Sequence, residues 1–171
     1  NAKTTHAALT NEIIDFYNLL YPEKTLTFEQ KKLLIEGAIL EDVSPRWVFH
    51  FYDPIHQIGW TGEKAGLVSV DAVQIFKIIT LTPDKIRPAV EWINNESLQD
   101  SYSRYEGNRT WKQALKYYAD GDLEASYKTL GYVLHVLEDM SVPDHTRNDP
   151  HAEALGDVTG DYGSPYEQYT D

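Results

Sequence analysis

An all-α fold is what this sequence predicts, on three observations. Apolar residues recur at the i, i+3, i+4, i+7 spacing of a helix face in several segments. No stretch alternates apolar and polar residues as a half-buried strand does, and no hairpin turn joins two such stretches. With 171 residues the chain suits one core better than two, so the expected architecture is a single multi-helix bundle spanning 1–171.

The first helix is expected in "HAALTNEIIDFYNLL", where Ile13, Phe16, Tyr17 and Leu20 mark an apolar face and "YPEK" ends it. "TFEQKKLLIEGAI" starts a second helix from a Thr27/Gln30 capping box, and the pattern fades near Gly37 and Pro45. From Phe51 to Leu67, Pro, repeated Gly and mixed polarity predict a long irregular loop. "DAVQIFKII" and "TPDKIRPAVEWIN" read as two further helical segments, with Pro88 kinking or delimiting the second. "RTWKQALKYYADGD" is a helix closed by an Asp-Gly-Asp turn. "LEASYKTLGYVLHVLEDM" follows, with Leu130, Val133, Leu134 and Leu137 as its apolar face and Pro143 as its end. The remainder is rich in Gly, Asp and Pro until "SPYEQY", which reads as the first turn of another helix.

Hydrophobic residues make up 42% and charged residues 25%, a globular composition. No segment approaches the roughly 20 uninterrupted apolar residues of a spanning helix, so no transmembrane segment is expected. The net charge of −12 argues against nonspecific binding to a phosphate backbone, which depends on Lys and Arg displacing counterions. No stable nucleic-acid complex is expected. A phosphate-bearing substrate stays open, because bound cations reverse the local field of an acidic pocket. Cysteine is absent, which excludes disulfides and thiolate metal sites. Any metal must be held by His, Asp, Glu or the amino terminus.

Four places in the chain offer such ligands. His135 and Asp139 are four residues apart and share a helix face, which suits either a surface hydrogen bond or a pair of zinc ligands on a rigid support. His145 follows the Ser-Val-Pro break, as a plain loop residue or as a ligand turned back beside the helix end. In "EDVSPRWVFHFYDP", Glu41 and Asp42 end a helix, and His50 lies among Trp47, Phe49, Phe51 and Tyr52. Such a histidine is either packed in the core or a ligand inside an apolar shell. His6 is a frayed terminal residue or a partner of the α-amine in holding a metal. Glu167 either favours a helix N-terminus or adds a ligand.

In order along the chain, the set "TH", "ED…HFYDP", "LGYVLHVLEDMSVPDH" and a late "YE" resembles the zinc-dependent phospholipase C family, which is related to the zinc-dependent single-strand nucleases. The long motif ties Gly131, His135, Asp139, Pro143 and His145 together, and the matched elements run from His6 to Glu167. The resemblance implies an all-α protein with a cleft for up to three zinc ions. One ion would take Asp42, His50, His135 and Asp139. A second would take the backbone amine and carbonyl of Asn1, His6 and the other oxygen of Asp139. A third would take His145, Glu167 and a further histidine. The family histidine four residues before the late Glu is Gly163 here, which leaves His151 as the nearby imidazole. The chain also carries Asn1 where the family has Trp, and the family chains continue well past the late Glu, so the resemblance implies a C-terminal portion beyond Asp171.

The chemistry so implied is phosphodiester hydrolysis, with water attacking phosphorus in line and Asp42 orienting or deprotonating it. "HFYDP" resembles the phospholipase branch more than the nuclease branch, whereas the many aromatics suit stacked bases and lipid equally. The expected substrate is a phospholipid or other phosphodiester, with transient contact at a membrane surface, and the expected location is secreted or periplasmic. A single-strand nuclease is the other enzymatic expectation. A noncatalytic helical binding domain stabilised by metal is the expectation from a different class.

Overall fold

The computed structural model describes residues 2–43, 46–60, 87–102 and 107–147. These are all-α: no strand occurs among the described residues, and their one isolated β-bridge pairs Asp53 with Ile58. The helices are α1 (Ala2–Leu20), α2 (Phe28–Glu41), α3 (Ala89–Trp92), α4 (Glu96–Tyr102), α5 (Trp111–Ala119), α6 (Leu123–Asp139) and α7 (Pro143–Arg147), with 3-10 turns at Pro22–Lys24 and Arg46–Phe49. The expected segments at "DAVQIFKII" and "SPYEQY" lie outside the described residues.

Capping chemistry sets the helix starts. Thr27 and Gln30 form the reciprocal capping box of α2. Thr110 caps α5 by accepting from the Gln113 amide, and Asp122 caps α6 by accepting from Ala125. Pro88 sits at the N-cap of α3, so it delimits that helix. Two local expectations change. α4, absent from the sequence reading, begins where Asn95 accepts from the Leu98 amide. Pro143 does not end α6, which has stopped at Asp139; it opens the short α7, where its fixed φ and missing N–H are well tolerated.

α1, α2 and α6 pack on one another, and α5 packs on α6. The α1–α2 hairpin is pinned by Asn18, whose side chain accepts from the Leu26 amide at 2.7 Å, and by Lys31 pairing with Asp15 at 2.6 Å. Ser126 donates to the Ala114 carbonyl and ties α6 to α5. α2 and α6 cross most closely at two glycines. A Cβ on Gly37 would lie 2.0 Å from the Lys128 carbonyl oxygen, and one on Gly131 would lie 2.1 Å from that of Leu34. No larger residue fits either position, so the backbones touch and the C-terminal ends of both helices are drawn together.

The apolar face read from periodicity is not the buried one on α1 and is so only in part on α6, where Val133 is buried and Leu130 and Leu134 are partly so. On α1, Ile13, Phe16 and Leu20 are exposed, while His6, Thr10 and Ile14 point inward. On α6, Leu137 is half exposed, while His135, Glu138 and Asp139 are buried. Both helices turn polar side chains into the protein. The apolar core proper lies beside this, where Val48, Phe49, Phe51, Trp60, Ala89, Trp92 and Val136 pack together and the Phe49 and Trp92 rings stack at 4.2 Å.

Candidate metal centre

The glycine crossing places the end of α2 against the last turn of α6. There the His135 ring meets the Ala38 carbonyl, with Nδ1 2.6 Å from the oxygen. A carbonyl only accepts, so Nδ1 carries a proton, and in the neutral ring Nε2 is the nitrogen with a lone pair. One turn later Asp139 lies on the same face, its Oδ2 3.3 Å from His135 Nε2. The i, i+4 pair is thus buried; it is no surface hydrogen bond.

Three more histidines converge on Asp139. α1 delivers His6, whose ring stacks on His135 at 3.7 Å and whose Nε2 lies 3.3 Å from Asp139 Oδ1. The loop after the 3-10 turn delivers His50, with Nδ1 2.9 Å from Asp139 Oδ2. α7 delivers His145, 3.7 Å from the same oxygen. The His145 ring stacks on Phe51, and its Nδ1 lies 3.1 Å from the His50 carbonyl. The Tyr52 amide bonds back to the His145 carbonyl, locking the His50 loop to α7. Asp42, the half-buried C-cap of α2, completes a second group with His50 and His135.

The two carboxylate oxygens of Asp139 therefore face different histidines: Oδ1 faces His6, and Oδ2 faces His50, His135 and His145. Despite these short approaches, neither Asp139 Oδ2 nor His135 Nε2 makes a hydrogen bond, although both are fully buried. A buried polar atom without a partner costs about 1–3 kcal/mol, and two such atoms 3.3 Å apart mark a place for a cation. The chemistry fits one: one ligand atom from each of His6, His135 and Asp139 lies within 4.8 Å of the others, as does one from each of Asp42, His50 and His135. Ligand atoms of a tetrahedral zinc with bonds of about 2.1 Å are about 3.4 Å apart.

Charge is redistributed accordingly in the metal-free protein. Burial is the largest influence on His6 and opposes its protonation, but the carboxylates of Asp139 and Glu138 outweigh it and raise its pKa to about 10. His50 is raised to about 9 against the same burial penalty, by Asp139 and Glu41. Burial pushes the Asp139 carboxyl up, yet the charges of His145 and His135 and contacts with His135 and His50 hold it well below the usual range.

Of the ligands expected from the sequence, His6, Asp42, His50, His135, Asp139 and His145 are brought together. Asn1, His151 and Glu167 lie outside the described residues. His56, not a candidate, is exposed and pairs with Asp53 in a turn. No protein-family model, curated protein or solved structure matches this chain.

Three further residues of the centre were assigned no role from the sequence, Glu41 being named only as a helix end. Glu138 is buried, accepting from Thr10 Oγ1 at 2.7 Å and facing His6 Nδ1 at 2.9 Å. Glu41 is buried between Arg46, Trp92 and His50, and Arg46 is buried over the Trp92 and Tyr132 rings. The available signal was the repeated Glu-Asp dipeptide at a helix end, in each case near a histidine.

Proposed function

We propose that this chain is a zinc-dependent phosphodiester hydrolase of the phospholipase C type, with Asp139 as the shared carboxylate of its metal cleft. The observation that carries the reading is the pair of buried atoms that make no hydrogen bond, Asp139 Oδ2 and His135 Nε2, 3.3 Å apart at the convergence of four histidines. The likeness of "LGYVLHVLEDMSVPDH" to the family motif supports the same reading.

Asp42, His50, His135 and Asp139 would hold one zinc; His6 and Asp139 Oδ1 would contribute to a second with Asn1, and His145 would serve a third with Glu167 and His151. Bound zinc supplies positive charge for phosphoryl oxygens and hydroxide near neutral pH. Asp42 is half-buried, so its carboxylate can reach both a ligand set and solvent, and it orients or deprotonates the attacking water. His135 and Asp139, on one rigid helix turn, keep the centre from spreading as charge develops. The surrounding Phe49, Phe51 and Trp92 exclude water from behind His50, which strengthens every charge interaction in the site.

The test is zinc content by elemental analysis together with hydrolysis assays on a phosphatidylcholine analogue and on single-stranded DNA. The expected result is bound zinc with turnover of the phospholipid analogue. Turnover of DNA alone would assign the nuclease chemistry. A metal-loaded chain with its native N-terminus that hydrolyses neither substrate would sink both enzymatic assignments and leave a metal-stabilised binding domain.

A further inference from the structure

Two Glu-Asp dipeptides end two different helices at the centre: Glu41-Asp42 at the end of α2 and Glu138-Asp139 at the end of α6. Acidic residues there face the negative end of the helix dipole, the less favourable terminus for them. Helix stability therefore does not account for the placement. In each dipeptide the aspartate belongs to a ligand group, and the glutamate is buried against the far side of a histidine from that group. Glu138 Oε2 lies 2.9 Å from His6 Nδ1, while His6 Nε2 faces Asp139. Glu41 Oε1 lies 3.3 Å from His50 Nε2, while His50 Nδ1 faces Asp139.

Both glutamates are themselves anchored. Thr10 Oγ1 donates to Glu138 Oε1 at 2.7 Å. Arg46 Nε donates to Glu41 Oε2 at 2.7 Å, and Trp92 Nε1 donates to Glu41 Oε1 at 2.7 Å. Neither carboxylate is left to swing toward a metal, and each presents a fixed acceptor to one ring nitrogen.

Resting on the metal-centre reading above, we infer that Glu41 and Glu138 are positioning residues that select which imidazole nitrogen binds metal. An ionised carboxylate only accepts, so the ring nitrogen it faces keeps its proton and the opposite nitrogen is the ligand. Glu138 thereby makes His6 a ligand through Nε2. Glu41 makes His50 a ligand through Nδ1, the reverse polarity. His135, held by the Ala38 carbonyl, binds through Nε2. The centre thus mixes the two kinds of histidine ligation, and the mixture is set from outside the ligand shell.

The test uses the full chain stripped of metal and reloaded. Long-range proton–nitrogen NMR on the zinc-loaded, unsubstituted protein reports the metallated nitrogen of each ring. The expected result is Nε2 for His6 and His135 and Nδ1 for His50; His50 metallated at Nε2 overturns the assignment to Glu41. Cobalt titration of the Glu138→Ala chain should show affinity for the most affected ion falling by about 10- to 100-fold. Glu138→Gln, which still offers a carbonyl oxygen to His6, should recover most of that loss. Equal affinity in the unsubstituted and Glu138→Ala chains overturns positioning by Glu138 and leaves the metal centre standing. Failure of the unsubstituted chain to bind cobalt or zinc overturns the metal centre itself, and this inference with it.

Discussion

Two buried regions meet at the loop that carries Phe49, His50 and Phe51, and they are built on opposite principles. On one side Phe49, Trp92, Trp60 and Val136 pack by shape, with two of the rings stacked at 4.2 Å and the Trp92 indole N–H donating to Glu41. On the other side four histidines, Asp139, Glu138 and Glu41 crowd together, and two of their buried atoms lack any hydrogen bond. Buried charge networks are poor stabilisers compared with apolar packing of the same volume. A protein that places an aromatic core and a polar cluster side by side has not run short of apolar residues: Phe16, Leu19 and Phe28 stand exposed on the outside. On the proposed function, the polar cluster is there for the ion it would hold.

The widest separation of the two regions should come from Asp139→Asn. Asp139 turns Oδ1 to His6 and Oδ2 to His50 and His135, so each of the first two proposed zinc ions loses a ligand. Zinc affinity should fall by more than about 100-fold, beyond the loss typical of a residue that merely supports a ligand, while the aromatic cluster keeps its near-ultraviolet circular dichroism. Calorimetric titration and that spectrum measure both halves. Retention of zinc at the parent affinity would remove Asp139 from the centre.

Gly131→Ala attacks the feature that brings the regions together. The new Cβ would lie 2.1 Å from the Leu34 carbonyl oxygen, which is backbone and cannot rotate away. Overpacking of this kind costs about 1–3 kcal/mol, and more when backbone must shift. Urea unfolding should show the loss, and zinc affinity should fall with it, because His135 loses its register against Ala38. A variant with parent stability would mean that the helices part at no cost.

How far the sequence discloses these regions depends on which physical rule is applied. Capping residues and the 3.6-residue period locate α1, α2, α5 and α6 well, because Thr27, Thr110 and Asp122 satisfy backbone donors whatever the tertiary context. The same period misplaces the buried face of α1 and part of that of α6. It takes Phe16 and Leu137 for core, whereas α1 and α6 turn inward the stripes that carry His6 and Thr10, and His135 and Asp139. The assumption that apolar means buried fails where a site is built between helices. The ligand spacing His135/Asp139 was readable because both side chains share one turn. Glu41, Arg46 and Glu138 were not, since charged residues at a helix end read as solvated until the helices crossing over them are known.

Proton linkage sharpens the comparison further, since only the polar region titrates. His6 and His50 have folded pKa values of about 10 and about 9, above the ordinary 6.5. Groups raised on folding stabilise most at low pH: their contribution to the metal-free chain is complete below about pH 6.5 and is lost as pH rises through about 9 and then about 10. Metal requires the neutral rings, so each ligating ring releases a proton on binding. Near pH 7.5 zinc binding should release close to one proton per ion that engages His6 or His50, and apparent affinity should rise about tenfold per pH unit for each. Calorimetry in buffers of different ionisation enthalpy gives the proton count. Binding without proton release would show that these rings are neutral or uninvolved.

The smallest effect comes from pairing two substitutions on α1, one on each face. Thr10→Val removes the donor to Glu138 Oε1 while keeping shape, leaving a buried carboxylate oxygen short of a partner. That should cost about 1–3 kcal/mol in urea unfolding. Leu19→Ser deletes a much larger apolar side chain, but one that is 76% exposed, and should change stability by less than about 0.5 kcal/mol. Ordinary amphipathic logic ranks these two the other way, with the leucine dominant. If Leu19→Ser proves the more damaging, the outward apolar stripe of α1 is covered in solution, and the contrast between an exposed apolar face and a buried polar one would have to be withdrawn for this helix. If Thr10→Val proves the more damaging, α1 is held in place chiefly by the polar residues that carry His6 to Asp139.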